Sequence, residues 1–167
     1  MQNNVTKLRY DSRNGQCAVM LLAAIRDLAG AVTKREATDY IRKKHWFAFE
    51  PDDNLPYLSQ HEPRWQNIVA WGRKECVMRN LISYDSRDNW GMTRDGRDTI
   101  DRLHRGCING DLPVYPCYIW SAEFKQFMNP NYNASSSDAK RPPNFYRDLS
   151  ERPTVEDYLL KHFGISI

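Results

Sequence analysis

The strongest signal for the fold lies near the middle of the chain, in the stretch 63–76, which reads PRWQNIVAWGRKEC. Its apolar positions recur at helical intervals, at Trp65, Ile68, Val69, Gly72 and Cys76. This spacing predicts an amphipathic helix with one stripe facing a core. Pro63 suits the first helical turn, which does not need its missing N–H, and Asn80 suits the left-handed position after the helix.

The opposite stripe of this helix has the same spacing and carries Arg64, Asn67, Trp71, Lys74 and Met78. Amide and cationic side chains on an exposed helix face are the donors that read base edges and phosphates. Trp71 has two interpretations, because its ring can stack on a nucleotide or pack inside the protein.

Two further helices are predicted before this stretch. The first covers about 15–29, with apolar residues along one face at Cys17, Met20, Leu21, Ala24, Ile25 and Leu28. The second begins at a capping box formed by Thr33 and Glu36 and runs to about Lys44 with a basic exposed side. A connection with several acidic residues, 46–62, then leads to the third helix.

After the third helix, residues 81–84 and 90–93 favour β-structure and flank the polar turn 85–89. This pattern predicts a hairpin, and residues 94–105 then have helical spacing. Three helices followed by a hairpin are the order of a winged helix-turn-helix. We therefore expect a mainly α fold with a small β-hairpin, an α+β arrangement, in which residues 14–106 form a DNA-binding domain.

Residues 107–167 are predicted to be an accessory extension. Ser121 can cap a helix through about Met128, residues 129–144 are rich in Asn, Ser and Pro and indicate a flexible loop, and 154–163 favour a terminal helix.

Composition narrows the class of partner. Residues 1–109 hold 18 Lys and Arg against 14 Asp and Glu, whereas the rest holds 6 against 7. An excess of basic residues favours a polyanionic partner.

The chain has no apolar run long enough for a membrane span and no signal peptide, so we expect a cytoplasmic protein without a membrane partner. Its four cysteines lack metal-ligand spacing, and neither a metal nor another cofactor is expected.

The third-helix stretch resembles the N-terminal domain of Mrr-type restriction-system proteins, whose pattern is approximately [RK]-[WF]-x-N-x-[VI]-x-W-A. The segment 33–41 looks like the second helix of that family, and 92–97 looks like its L-T-x-x-G motif at the end of the wing. Gly72 stands where the family usually has Ala, which should cost the helix about 1 kcal/mol. We expect this chain to lack the large nuclease domain of Mrr-type enzymes.

The resemblance implies binding of double-stranded DNA, with dependence on sequence or base modification, by a module that is not catalytic. A nuclease subunit or domain and a second copy of the chain are further expected partners. Candidate contacts lie on the third helix, the start of the second helix and the wing, at Arg64, Gln66, Asn67, Trp71, Arg73, Lys74, Lys34, Arg35, Arg87, Asn89 and Arg94.

Two other functions remain open at this point. The winged helix could be a protein-interaction module whose terminal helix 154–163 forms the interface. The chain could also be a small metal-dependent nuclease, in which Asp111, Glu123 and Lys125 imitate an acid…E-x-K pattern. The nuclease interpretation requires residues 123–125 on a strand, but the sequence there predicts a capped helix.

Overall fold

The computed structural model describes residues 12–56, 61–84, 89–112, 114 and 117–133. This part of the chain is mainly helical, as predicted. Its helices are α1 (Arg13–Leu28), α2 (Lys34–Lys43), α3 (Arg64–Met78), α4 (Arg94–Ile108), α5 (Ala122–Met128) and a short 3-10 helix at Pro51–Asn54. The predicted terminal helix 154–163 and most of the predicted loop 129–144 lie outside the described residues.

Polar side chains start four of these helices. The hydroxyl oxygens of Ser12, Thr33, Thr93 and Ser121 each accept a hydrogen bond from a backbone N–H in the first turn of the helix that follows. The predicted capping box is confirmed, because Glu36 also accepts the Thr33 N–H at 2.9 Å. Asn80 adopts a φ of 59°, in the left-handed region predicted for it after α3.

The first helix is the centre of the fold. Every residue from Gly15 to Ile25 is buried, whereas the sequence interpretation placed only one stripe of this helix in the core. That interpretation was too narrow because α2, α3 and α4 all contact α1. The unbroken apolar run from Cys17 to Ile25 is the signal that indicates burial on all sides.

The third helix packs against α1 through the predicted stripe, which is buried from Trp65 to Cys76. The two helices come very close at Gly72. A Cβ at this position would lie 3.0 Å from the backbone nitrogen of Ala18 and 3.0 Å from the carbonyl carbon of Cys17. The glycine that seemed unfavourable for helix propensity therefore allows the close helix contact.

The two runs predicted to form a hairpin meet between α3 and α4. Ile82 and Met92 form an isolated antiparallel bridge, and the Ser83 N–H donates to the Gly91 carbonyl at 2.8 Å. A second isolated bridge joins Trp90 to Val32, just before α2. Within the described residues the pairing consists of isolated bridges rather than strands, and residues 85–88 of the predicted turn lie outside them.

The start of α4 explains the Thr and Gly of the segment 92–97. Besides capping the helix, Thr93 donates its hydroxyl to the Asn80 carbonyl at 2.7 Å, and its N–H donates to the Leu81 carbonyl at 3.0 Å. Gly96 lies against the same carbonyl, since a Cβ there would be 2.1 Å from the Leu81 oxygen. These contacts hold the start of α4 against the paired segments.

Part of the predicted extension belongs to the same core. The Ile119 N–H donates to Oε1 of Gln16 at 2.9 Å, and Nε1 of Trp120 donates to the Gln16 carbonyl at 2.8 Å. Phe124 of α5 packs on Trp46, with ring centroids 4.8 Å apart. No helix in the described residues combines the length and the apolar character needed to cross a membrane.

Candidate nucleic-acid interface

The outer face of α3 carries a cation held on an aromatic ring. The Lys74 ammonium lies 4.6 Å from the centroid of the half-buried Trp71 ring, and the lysine itself is exposed. Gln66 and Asn67 are half-buried on the same helix. A ring attracts the ammonium without cancelling its charge. Among the described residues, Lys74 has no carboxylate partner.

Arg73 also lies on a ring, but on the side of α3 that faces the bridge segments. Its guanidinium carbon is 5.4 Å from the centroid of Trp90, which is buried next to Val32. This contact directs Arg73 toward the predicted wing. The contact joins α3 to the segment 89–92 through a buried ring.

The N-terminal end of α3 differs, because its cations face carboxylates. Nη1 of Arg64 lies 3.9 Å from Oδ2 of Asp52, and the Arg64 side chain is only 25% exposed. Arg64 was predicted to lie on the open face, but the chain before α3 covers most of it.

The basic residues at the start of α2 also have acidic partners. Lys34 forms a hydrogen-bonded ion pair with Glu62, two residues before α3. Arg35 is almost fully exposed and lies 3.8 Å from Asp39 on the same helix. The sequence pattern does not reveal the Glu62 partner, because the pair joins segments separated by 28 residues.

The predicted wing is described in part. Asn89 and Arg94 are exposed, and Arg94 is the first residue of α4. Arg87 lies outside the described residues. The structure adds Tyr84, which is 84% exposed and was not singled out from the sequence. Period-two alternation would place Tyr84 on the same face as the buried Ile82, so no local sequence signal indicates that its ring is exposed.

The residues of the nuclease interpretation do not converge. Residues 123–125 lie on the helix α5, where Glu123 is exposed and Lys125 is buried with its ammonium 5.5 Å from the Tyr132 ring. Asp111 is exposed in the turn after α4. Within the described residues there is no group of three or more His, Cys, Asp or Glu side chains that could hold a metal ion.

The four cysteines are buried free thiols. Burial raises the pKa of the Cys107 thiol to about 11 and raises the pKa of Cys76 well above its ordinary value. A thiolate is the reactive form of cysteine, so these two side chains are held unreactive.

The comparison with family models identifies one family. The model of the Mrr N-terminal domain matches residues 16–102, which is just over half of the chain. The matched region runs from the beginning of α1 into α4 and includes α3 and the bridge segments. No curated protein and no solved structure matches the chain.

Proposed function

Because the chain belongs to the Mrr N-terminal domain family, a restriction-system module, we propose that it binds double-stranded DNA. The contact is made by the outer face of α3 and by the segment 89–94. Recognition depends on DNA sequence or base modification, and catalysis is left to a nuclease subunit or domain. Two copies of the module would suit a duplex site with two-fold symmetry.

A winged-helix arrangement is part of this proposal. Its support is the backbone pairing around α3 and α4. The Trp90 N–H donates to the Val32 carbonyl at 2.6 Å, while Ile82 pairs with Met92. The segment before α2 and the segments on either side of 85–88 thus lie side by side. In a winged helix, this pairing places the wing next to the third helix, which enters the major groove.

One observation supports the DNA proposal most directly, namely the exposed Lys74 ammonium supported by Trp71 on the outer face of α3. Lys74 lies two turns beyond Asn67, so an amide donor and a full positive charge follow one another along the helix. Amides read base edges, whereas cations bind phosphates and fix the register of the protein on the duplex.

The test is a salt titration of duplex binding by the wild-type chain and by the double variant Lys74→Ala/Arg94→Ala. Each lost phosphate contact should reduce the slope of log affinity against log salt by about 0.9. We expect the variant to bind roughly tenfold more weakly at low salt and its slope to fall by about two units. Running unmodified, methylated and hydroxymethylated duplexes in parallel measures dependence on base modification.

The matched control is Arg102→Ala/Arg105→Ala, which removes the same charge from the middle and end of α4. Arg102 pairs with Asp98 on that helix, and Arg105 donates to the Asp101 carbonyl. The control should bind DNA within about twofold of wild type, since surface cations away from the contact act only through weak long-range fields. Absence of duplex binding by wild type even at low salt would rule out the proposed function.

A further inference from the structure

Two cations assigned to DNA phosphates from the sequence already face carboxylates of the chain itself. They are Arg64, whose guanidinium faces Asp52, and Lys34, whose ammonium donates to Glu62. Both carboxylates belong to the acidic connector, which we define as the described residues 50–56 and 61–62 with the acids Glu50, Asp52, Asp53 and Glu62. Carboxylate and phosphate oxygens use the same donors, so both cannot occupy these cations at once.

The backbone holds the connector against the start of α3. The Arg64 N–H donates to the Leu55 carbonyl at 3.0 Å, and Pro56 is bridged to Pro63. The buried Asp53 fixes the 3-10 turn, because its Oδ2 accepts the Glu50 N–H at 2.6 Å. The 3-10 turn therefore positions the carboxylate of Asp52 near the start of α3.

The Asp52 pair can nevertheless open without unfolding the connector. The Asp52 side chain is 63% exposed, and its backbone carbonyl accepts the Leu55 N–H independently of the carboxylate. An ion pair at this exposure contributes little to stability, so a strong competing anion can displace the carboxylate into solvent.

We propose that Asp52 and Glu62 are internal competitors of DNA phosphate. They neutralise Arg64 and Lys34 in the free protein and give these cations up only when a duplex is docked on α3. The inference rests on the proposed function and adds its regulation. The competition lowers affinity for any stretch of phosphate backbone, so base contacts become a larger share of the binding energy.

The test variant is Asp52→Asn/Glu62→Gln, which keeps the shape of both side chains and removes both charges. We expect it to bind duplex DNA about fivefold more tightly than wild type with a similar salt slope, because both cations engage phosphates in either complex and only the competition by the carboxylates is lost. The control Asp98→Asn/Glu123→Gln gains the same net charge on α4 and α5. It should change affinity by less than about twofold.

A thermodynamic cycle separates competition from a general charge effect. If Asp52 acts through Arg64, the gain from Asp52→Asn should disappear in an Arg64→Ala background. A gain that persists there, or unchanged or weaker binding by the double variant, overturns the inference. Thermal unfolding of each variant checks the fold, and the single variants Asp52→Asn and Glu62→Gln should each show part of the gain.

The outcomes also separate the two proposals. Wild-type binding that weakens in Lys74→Ala/Arg94→Ala but does not tighten in Asp52→Asn/Glu62→Gln removes only the internal competition. Absence of binding by wild type and by the Asp52→Asn/Glu62→Gln variant alike removes both.

Discussion

The two ends of α3 hold their cations in different ways. At the N-terminal end, Arg64 faces a carboxylate, and Lys34 beside it does the same. In the second half of the helix, the exposed ammonium of Lys74 lies on the ring of Trp71. A carboxylate cancels the charge it holds, whereas a ring orients a cation and leaves its charge available. Lys74 should therefore contribute more than Arg64 to the attraction of DNA.

The difference also shows that the charge a basic residue presents to a partner depends on its neighbours in the fold. Arg64 and Lys74 have the same helical phase and were assigned the same role from the sequence. Their surroundings separate them, because the chain before α3 supplies an acid to one and α3 itself supplies a ring to the other. Charge counted along a sequence is thus only an upper limit on the charge that a partner meets.

The largest expected effect comes from disrupting the close contact between the start of α4 and the Leu81 carbonyl. In Gly96→Ala, the new methyl group would lie 2.1 Å from the Leu81 carbonyl oxygen, so α4 and the paired segments must move apart. We expect a loss of about 3 kcal/mol or more in the free energy of unfolding, measured by urea denaturation.

Gly91→Ala is the control for this substitution. A Cβ at Gly91 would lie 3.6 Å from the Ala31 Cβ, an ordinary contact, and Gly91 pairs through its backbone carbonyl. Its stability should stay within about 1 kcal/mol of wild type. Equal stability of Gly96→Ala and Gly91→Ala would show that α4 is not packed against the Leu81 carbonyl.

Single variants at the two ends of α3 test whether Lys74 and Arg64 contribute unequally to DNA binding. Lys74→Ala should weaken duplex binding by about 1 kcal/mol and lower the salt slope by about one unit. Arg64→Ala should have less than half of this effect, because DNA must first displace Asp52 to use the guanidinium. Fluorescence anisotropy over a range of salt concentrations measures both quantities. Equal losses from the two variants would mean that the acid partner does not affect DNA binding.

Much of the helical framework follows from local sequence signals. The Thr33 and Ser121 caps, the apolar stripe of α3 and the left-handed Asn80 each depend on residues within one or two helical turns. The confirmed family also agrees with the motif in residues 63–76. These features could be predicted because neighbouring residues alone determine them.

The missed features join distant segments. The side chain of Gln16 is fully buried because Ile119, 103 residues away, donates to it. Glu62 reaches back 28 residues to Lys34. No periodicity records such pairs, so the sequence showed only that the connection before α3 carries several acidic residues, not which cations they face. The candidate DNA-contacting residues stay predictions. The structure separates those that face carboxylates from those that face aromatic rings.

The smallest expected effect concerns the contact between α4 and α5, which carries none of the α3 cations and so separates stability from DNA binding. Nδ1 of His104 lies 3.0 Å from Nη2 of Arg26, which can only donate, so His104 donates through Nε2 to the Phe127 carbonyl at 2.8 Å. Burial lowers the pKa of His104 and the Arg26 charge adds to this effect, while the hydrogen bond to the Phe127 carbonyl and the charges of Asp27 and Asp101 oppose it.

Because the pKa of His104 in the folded protein lies below the ordinary value of 6.5, the unfolded chain binds more protons between these two values. Stability should therefore fall as the pH is lowered through 6.5, and His104→Gln should reduce this dependence. Urea denaturation at pH 7.5 and 5.5 measures the change, with the exposed His61→Gln as the control that retains it. Duplex binding at pH 7.5 should be the same for His104→Gln and wild type, because this contact anchors α5 and leaves both ends of α3 unchanged. If His104→Gln retains the full pH dependence of stability, another titrating group must cause that dependence.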